Sequence, residues 1–292
     1  MKQKLAYMAY FSVCRAFSLL CLPVLYVISD AIYLLLYRIG RYRIRVVREN
    51  LATSFPDKSA GELRAIEKAF YHQLCDTIVE SIKLLDITPE QLLARGHVKV
   101  NNASIVEEIA AEKRPIMLFL AHMGNWEWVP TIQLCYSRPT VSAEIYKPQR
   151  DEAFDRLMKT VRARYASYPI PQRSAYRDIL QLHRDNETFI VGFVADHRSN
   201  HAQAQQRVEF LNHTTPVDVG AEKIGSKVNA RYLYLDIAKT GRGRYELTFK
   251  RIEPDNSGDP YPYTTAYYKM LEQNILRQPH LWLWSHRRWL FK

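Results

Sequence analysis

This chain has few of the residues from which covalent or metal-held frameworks are built. Its four cysteines stand far apart, with no C-x-x-C pair among them: Cys14, Cys21, Cys75 and Cys135. Structural zinc sites and disulfide frameworks normally show closely spaced or densely repeated cysteines, so the sequence gives no sign of either. We expect free thiols in a reducing compartment, and neither a bound metal nor an organic cofactor.

Internal repeats, low-complexity tracts and long linkers are missing as well. A chain of 292 residues can bury a full hydrophobic core, most simply as one large domain with an appendage. The only candidate boundary is a basic stretch near residues 38–50. The sequence therefore predicts an N-terminal unit over residues 1–48 and a main domain over residues 49–292.

Acidic residues are scarce relative to basic ones. The chain has 41 lysines and arginines against 30 aspartates and glutamates, a formal net charge of +11. Such a balance favours an acidic partner: nucleic acid, an anionic membrane surface, or an acidic protein or substrate. The 19 tyrosines do not form the stacking pattern of an RNA-binding module, which counts against nucleic acid.

One long hydrophobic run lies near the N-terminus, over residues 16–37, and its only charge is Asp30. As a helix, these 22 residues would be about 33 Å long, enough to cross a hydrocarbon core of roughly 30 Å. The sequence thus predicts a membrane-anchoring helix. Pro23 and Asp30 weigh against a span, and the alternative is a helix that lies in the interface or docks on the main domain.

Five arginines follow the hydrophobic run, between residues 38 and 48. Arginine-rich flanks stay on the cytoplasmic side of a membrane, and they bind anionic lipid headgroups. We therefore expect the main domain to lie on the cytoplasmic face of a membrane.

Alternating helices and strands make up the main domain. Ser59 and Glu62 form an S-x-x-E capping box, which predicts a helix start, and apolar residues then recur at helical spacing. Strands are predicted at the short, largely apolar runs: residues 115–121, 140–146, 189–195, 231–238 and 244–252. Runs that do not alternate are typical of a sheet covered on both faces. The predicted fold class is α/β, with a mixed, mostly parallel central sheet flanked by helices.

Titratable side chains follow two of these strands at the point where each ends. His122 comes directly after residues 115–121, and Asp196 and His197 come directly after residues 189–195. In α/β sheets, ligands bind outside the carboxyl ends of parallel strands. We therefore expect these side chains to share one rim of the sheet.

Glu127 follows His122 by five positions, in the stretch F-L-A-H-M-G-N-W-E-W. Gly124 permits a turn, Asn125 is a candidate N-cap, and Glu127 would lie in the first turn of the next helix. A carboxylate on one imidazole nitrogen makes the other nitrogen a better base, so the pair predicts deprotonation of a hydroxyl. A hydrogen-bonded structural histidine or a metal ligand is the alternative interpretation of His122.

A second pair with the same spacing exists, His213 with Asp218. Pro216 resembles the first residue of a helix, and no buried strand precedes the pair. We therefore interpret this pair as a loop and helix-cap feature, and His122 remains the candidate base.

A resemblance to a known family is carried by several segments in order: LYRIGRYRIRVVRENLATSFPDKS, LAHMGNWEW, IYKPQRDEAFDRLM, the strand end VADH, VEFLNHTTPVDVGAEKIGSKVNA and LWLWSHRRWLFK. The chain resembles the late acyltransferases of bacterial lipid A biosynthesis, within the lysophospholipid acyltransferase superfamily. The resemblance covers nearly the whole chain. It implies transfer of a fatty acyl chain to a hydroxyl of a lipid A precursor, at the cytoplasmic face of a Gram-negative inner membrane.

By the same resemblance, His122 is the general base, Glu127 its orienting partner, and Asp196 a further residue needed in the catalytic site. The acyl donor is a thioester of acyl carrier protein or coenzyme A, and the net positive charge would attract the acidic carrier. We expect substrate contacts from Asn125, Trp126, Tyr146, Lys147, Arg150, Arg287 and Arg288.

Some of these residues have a second interpretation. Lys147 and Arg150 either bind the phosphates of a lipid headgroup or form a solvated basic face. The tail tryptophans, which alternate with Arg287 and Arg288, either contact a membrane interface or close the core. Lys147 also departs from the resemblance, because the family usually has arginine there, and lysine binds an anion as a point charge rather than bidentately.

A further departure follows Asp196, where H-R-S-N-H-A-Q-A-Q-Q-R replaces an acid- and glycine-rich loop and leaves the acceptor open. Two alternatives therefore remain. One is the same chemistry on another lysolipid or an amino-acid lipid, which would differ in acceptor range. The other is a non-catalytic membrane protein that binds lipid, which would keep its function when His122 is replaced.

Overall fold

A computed structural model of the chain describes residues 2–139, 141–164, 167–185, 188–196, 204–255 and 258–289. The α-helices in this part are α1 (Lys2–Ser18), α2 (Leu22–Tyr33), α3 (Ile44–Ser54), α4 (Ala60–Lys83), α5 (Pro89–Ala94), α6 (Ser104–Ala111), α7 (Glu152–Ala163), α8 (Ala175–Asp185), α9 (Gly220–Lys227) and α10 (Pro262–Arg277). Other helical segments are a π-helix at Leu34–Ile39 and 3-10 helices at Trp126–Cys135, Gln172–Ser174 and Pro279–Leu281. The strands are β1 (Val98–Asn101), β2 (Ile116–Leu120), β3 (Ser142–Tyr146), β4 (Tyr168–Pro171), β5 (Ile190–Val194), β6 (Gln206–Phe210), β7 (His213–Val217), β8 (Arg231–Gly241) and β9 (Arg244–Arg251).

Seven strands form one sheet in the order β1-β9-β8-β2-β5-β3-β4, and β6 pairs with β7 in a separate two-stranded sheet. Neighbours in the large sheet run parallel, except that β8 and β9 form an antiparallel hairpin. The five predicted strands correspond to β2, β3, β5, β8 and β9. The structure confirms the predicted α/β class, with a mostly parallel sheet flanked by helices.

Strand β2 lies in the middle of the large sheet, between β8 and β5. Its five residues, I-M-L-F-L, are all buried. Both faces of a central parallel strand are covered, so apolar residues are needed at every position rather than at alternate ones. Consequently the residues that follow β2 emerge at the centre of the sheet rim, anchored by a fully buried strand.

The second histidine pair lies in a hairpin, and the helix start predicted at Pro216 is wrong. His213 to Val217 form β7, which pairs antiparallel with β6, and α9 begins at Gly220. Proline is tolerated in a short two-stranded sheet because an outer edge needs no ladder donor. Asp218 is not the N-cap of α9, which is Val219, although its Oδ1 accepts from the Gly220 N–H at 2.7 Å where the helix begins.

Helix α4 begins at the predicted capping box. The Ser59 N–H donates to Glu62 Oε2 at 2.9 Å, and the Glu62 N–H donates to Ser59 Oγ at 3.3 Å. These reciprocal bonds satisfy donors that a helix start otherwise leaves without partners. Further along, α4 buries Asp76 and Glu80 as well as apolar side chains, so this helix carries charge into the interior.

The apolar run of residues 16–37 is not one continuous helix. It is divided between α1 and α2, and Pro23 lies in the first turn of α2. Proline cannot continue a preceding helix but is well tolerated in a first turn, which accounts for the break. The stretch Leu22–Ile39 is long and apolar enough to cross a membrane, by length and composition.

Helix α2 packs on α4 of the main domain. Leu22 and Leu25 are buried against Val79, whereas Val24 and Val27 on the other side of α2 are exposed. Helix α1 in turn packs on α7 and α4. The predicted division after residue 48 falls inside α3, and that division stays a prediction.

Charged side chains also join α2 to the main domain. Ser29 Oγ donates to Asp76 Oδ1 at 2.8 Å. Arg242, in the turn between β8 and β9, donates to Asp30 and to Asp76, each at 2.7 Å. Asp30, the only charge of the apolar run, is therefore paired with the body of the protein, which favours a docked α2.

Replacing Asp76 with alanine is expected to destabilise this junction. Asp76 is 2% exposed, and its loss leaves Ser29 and the cations of Arg242 and Lys239 without a shared carboxylate. Removing one partner of a buried ion pair costs about 3–5 kcal/mol, and the partial exposure of Arg242 places the loss near the lower end. Thermal unfolding in detergent measures it.

The matched control is Asp255→Ala, which removes an exposed ion pair with Lys269 and should change the unfolding temperature little. Similar, small shifts for both variants would contradict the assigned role of Asp76.

Candidate active site

The site begins at the carboxyl ends of β2 and β5. These strands are parallel neighbours, and Leu120 lies opposite Val194 in their register. His122 and Asp196 each stand two residues beyond that pair. The equal offset brings the two side chains together at the rim, as the sequence predicted for these residues.

His122 and Asp196 form a hydrogen-bonded dyad. The Nδ1 of His122 lies 2.8 Å from Asp196 Oδ1, and the backbone N–H of His122 donates to Asp196 Oδ2 at 3.2 Å. A carboxylate accepts from Nδ1–H and thereby favours the tautomer in which Nε2 has a lone pair. The side chain of His122 is 13% exposed, so a solute can reach it from one direction. The dyad therefore has the arrangement of an oriented base.

Two adjacent tyrosines of α10 fix the strand ends that carry the dyad. The Tyr267 hydroxyl donates to the Leu120 carbonyl at 2.9 Å, and the Tyr268 hydroxyl donates to the Ala195 carbonyl at 3.0 Å. Burial raises the pKa of Tyr268 to about 12 and that of Tyr267 well above its usual value. Both hydroxyls therefore stay protonated and remain donors over the whole physiological pH range.

The chain segment 281–284 closes the other side of the dyad. The Gly124 N–H donates to the Leu281 carbonyl at 3.0 Å, and the Leu283 N–H donates to the His122 carbonyl at 3.1 Å. The indole Nε1 of Trp282 donates to Asp196 Oδ2 at 2.8 Å. This segment thus contacts both the backbone of the base and the side chain of its partner.

Gly124 has no side chain because none fits. Its φ is +55°, and a Cβ there would lie 3.1 Å from the buried ring of Tyr245. A left-handed backbone and a tight contact both favour glycine. The turn that the sequence predicted at this residue is therefore a sharp one, and it directs the chain from β2 into the 3-10 helix.

Glu127 does not lie against His122, and the predicted contact between them is corrected by the structure. Its carboxylate binds Arg162 of α7, with Nη2 to Oε1 at 2.9 Å and Nε to Oε2 at 3.2 Å. The physical reason is that Asp196 of the neighbouring strand occupies Nδ1 of His122, while α7 offers Glu127 a two-pronged cation. Whether Glu127 takes part in catalysis stays a prediction.

Asn125 and Trp126 flank the base in different ways. Asn125 caps the 3-10 helix as predicted, since its Oδ1 accepts from the Glu127 N–H at 3.2 Å. Its Nδ2 donates to the buried carboxylate of Glu80 at 2.9 Å, which makes it an internal bridge. The Trp126 ring meets the His122 ring edge-on, with centroids 5.1 Å apart, and so forms one wall beside the base.

A cleft of about 160 Å³ opens next to Glu127, lined by Glu127, Tyr146, Lys147, Gln149, Phe154, Asp155, Met158, Lys159 and Arg162. Tyr146 and Lys147, two of the predicted substrate-binding residues, are therefore brought to the Glu127–Arg162 pair. Arg150 is exposed near this cleft but does not line it. Below the cleft, burial raises the pKa of the Glu144 carboxyl, while the Arg162 charge opposes that shift.

The predicted tail residues separate in the structure. Arg287 is exposed, whereas Arg288 is 1% exposed and donates to the Pro216 carbonyl and the Tyr268 hydroxyl. Arg288 is thus placed in the core and not on a surface open to substrate. The tail tryptophans Trp282, Trp284 and Trp289 are buried as well, which favours core closure over membrane contact.

Two contacts of the site were missed by the sequence reasoning. Arg162 was not among the predicted site residues, and Trp282 appeared only as one of several tail tryptophans. A charged residue on the helix after β3 was the available signal for Arg162; for Trp282 there was none. His197, predicted at the same rim, lies outside the described residues. Within the described ranges, no group of three or more His, Cys, Asp or Glu side chains is arranged to hold a metal ion.

Comparison with known proteins gives one match. The family model described as bacterial lipid A biosynthesis acyltransferase matches residues 2–291, nearly the whole chain. Among curated proteins, no match was found.

The dyad predicts which carboxylate sets the tautomer of His122. Asp196→Asn puts an amide opposite Nδ1, and its N–H can donate there, so we expect the Nε2–H form of the imidazole to increase. Glu127→Gln should leave the tautomer unchanged, since Glu127 bonds to Arg162. ¹⁵N spectra of the ring nitrogens, with His122→Ala for assignment, measure this. A shift in Glu127→Gln but not in Asp196→Asn would restore the pairing predicted from sequence.

Proposed function

The chain belongs to the family of bacterial lipid A biosynthesis acyltransferases, and on that premise we propose that it transfers a fatty acyl chain from an acyl carrier protein thioester to a hydroxyl of a lipid A precursor. His122 is the general base of this reaction. The hydrogen bond between His122 Nδ1 and Asp196 Oδ1, at 2.8 Å, is the observation that carries the proposal. It favours the tautomer in which Nε2 carries the lone pair, and that lone pair accepts the proton of the acceptor hydroxyl.

The reaction transfers one proton and one acyl group. Nε2 of His122 takes the hydroxyl proton, and the oxygen attacks the thioester carbonyl to form a tetrahedral oxyanion. Collapse breaks the carbon–sulfur bond, and the departing thiolate takes the proton back from Nε2. Asp196, ionised next to the imidazolium, stabilises the positive charge that develops on His122 during transfer. The step needs no covalent intermediate on the protein.

In this mechanism Asp196 orients His122, and Glu127 binds Arg162. The two-pronged contact uses the Nε and Nη2 of the guanidinium, and arginine has five N–H donors in all. Donors therefore remain for an anionic group in the cleft that Tyr146 and Lys147 also line. We assign this cleft to a phosphate or other anionic group of the acceptor.

The N-terminal helices are the membrane-binding element of the proposed enzyme. They present a set of exposed apolar side chains: Leu5, Met8, Val13, Phe17, Leu19, Leu20, Val24, Val27, Leu34, Leu35 and Ile39. The opposite side of α2 packs on α4, and Asp30 is paired with Arg242. An apolar surface on a docked helix suits insertion into one leaflet, with the arginines after it on the headgroups at the cytoplasmic face of the inner membrane.

Transfer and its dependence on His122 can be measured together. Purified protein in detergent is incubated with acyl carrier protein thioesters and separate acceptors: lipid A precursor, lysophospholipids and amino-acid lipids. We expect a mass gain of one acyl chain on the lipid A precursor. His122→Ala should reduce the rate at least about 10³-fold, because the base is lost.

The matched control is His183→Ala, which removes an exposed histidine on α8 and should leave the rate unchanged. A gain on another acceptor alone would replace the proposed substrate. Equal rates in the wild type and in His122→Ala would overturn the role of the base and favour a lipid-binding protein.

Membrane binding should depend on the exposed face of the N-terminal helices. Val27→Glu with Leu35→Glu puts two carboxylates on that face, and we expect binding to anionic vesicles to fall at least about tenfold, since charge is costly to insert. Tyr176→Glu, at an exposed aromatic of α8, is the matched control and should bind normally. Vesicle flotation measures both. Equal binding of all three proteins would contradict the proposed surface.

A further inference from the structure

Trp282 stands directly behind the dyad, and we propose that it is a positioning residue that holds Asp196 against His122. The inference rests on the proposed function and deepens it, because it names a residue that acts on the base without touching the substrate. The indole Nε1 of Trp282 donates a hydrogen bond to Asp196 Oδ2 at 2.8 Å.

The two oxygens of the Asp196 carboxylate have different hydrogen-bond partners. Oδ1 faces the imidazole Nδ1 of His122. Oδ2 accepts from the backbone N–H of His122 at 3.2 Å and from the Trp282 indole at 2.8 Å. The indole therefore supplies the shorter bond, and it comes from a different chain segment. Without it, the backbone N–H alone would resist rotation of the carboxylate away from the imidazole.

The indole is itself fixed by neighbouring rings. Trp282 is 2% exposed, and its ring contacts Trp284, Phe210 and Trp289 with centroids 4.7, 5.7 and 5.9 Å apart. The Trp284 and Phe210 contacts are edge-on, at 86° and 87°. Edge-to-face packing is favourable for aromatic pairs and leaves a close-packed ring little room to turn. The Nε1–H is therefore held in one direction, towards Asp196.

Backbone pairing adds a second constraint. Met123 and Trp282 form an antiparallel β-bridge, and the Leu283 N–H donates to the His122 carbonyl. The same short segment thus holds the backbone of the base and the side chain of its partner. A residue with this geometry sets the distance between His122 and Asp196, which a ring that merely fills space would not do.

The lost N–H has a definite effect on titration. Without the indole N–H, the carboxylate can rotate away from the imidazole, and the negative charge that stabilises the imidazolium is then further from the ring. We therefore expect His122 of the variant to take up its proton at a lower pH than in the wild type. Other titratable or charged groups around it stay the same in the variants: His286, Arg288, Arg43, Tyr234, Tyr267 and Tyr268.

The test compares Trp282→Phe with Trp284→Phe. Each variant replaces a buried tail indole with a phenyl ring, but the Nε1 of Trp284 donates to the Pro279 carbonyl and not to the dyad. In Trp282→Phe we expect the titration midpoint of His122, followed by NMR of the ring, to fall by about half to one pH unit. Trp284→Phe should leave it in place.

Acyl transfer gives the second measurement. Trp282→Phe should lower kcat about tenfold with little change in KM, and the acidic limb of its pH profile should move to lower pH with the midpoint. In the Asp196→Asn background, Trp282→Phe should have little further effect on kcat, because there is no longer a carboxylate to hold against the imidazole. Equal losses in both tryptophan variants, with an unmoved midpoint, would overturn the proposal.

A measurement on protein that keeps Trp282 tests the proposal if Trp282→Phe does not fold. In Trp126→Phe protein, which lacks the other indole next to His122, one indole N–H resonance should follow the midpoint of His122. Its absence would also overturn the proposal. Failure of the proposed function is distinguishable, since the protein would then transfer no acyl chain while the NMR titrations would still report the coupling.

Discussion

The buried carboxylate of Asp196 is the constraint around which this site is organised. A charge that is 3% exposed is stable only when donors surround it, and three N–H groups converge on it here. They come from the loop after β2 and from the tail, while Asp196 itself follows β5. Because each donor also fixes the segment that carries it, satisfying the charge and orienting the imidazole are the same physical event.

A second buried carboxylate links helix α2 to the same loop. Glu80 of α4 accepts from Tyr26 of α2 at 3.0 Å and from Asn125 next to the base at 2.9 Å. Burial raises the pKa of this carboxyl, and the hydrogen bonds from Asn125 and Tyr245 oppose the shift. A continuous polar chain therefore connects α2, the core and the rim, so that the position of α2 is tied to that of the site.

Much of the fold could be predicted from the sequence because it follows from local patterns. Apolar runs that do not alternate with polar residues predicted the strands, and the S-x-x-E motif predicted the start of α4. The rim shared by His122 and Asp196 followed from strand ends alone. The partner of Glu127 did not, because a short spacing cannot tell which of two nearby groups a carboxylate will meet, and Arg162 comes from a separate helix. The contact from Trp282 needs a tertiary register that no local pattern encodes.

The residues of the dyad and their contacts are far apart in sequence, which bears on how the protein folds. His122 and Asp196 are 74 positions apart, and Asp196 and Trp282 are 86. Non-local pairings of this kind form late in folding, after the loops between them have closed. An incompletely folded chain thus contains the histidine but no oriented base. The orientation of His122 is therefore gained only once β2, β5 and the tail segment have come together.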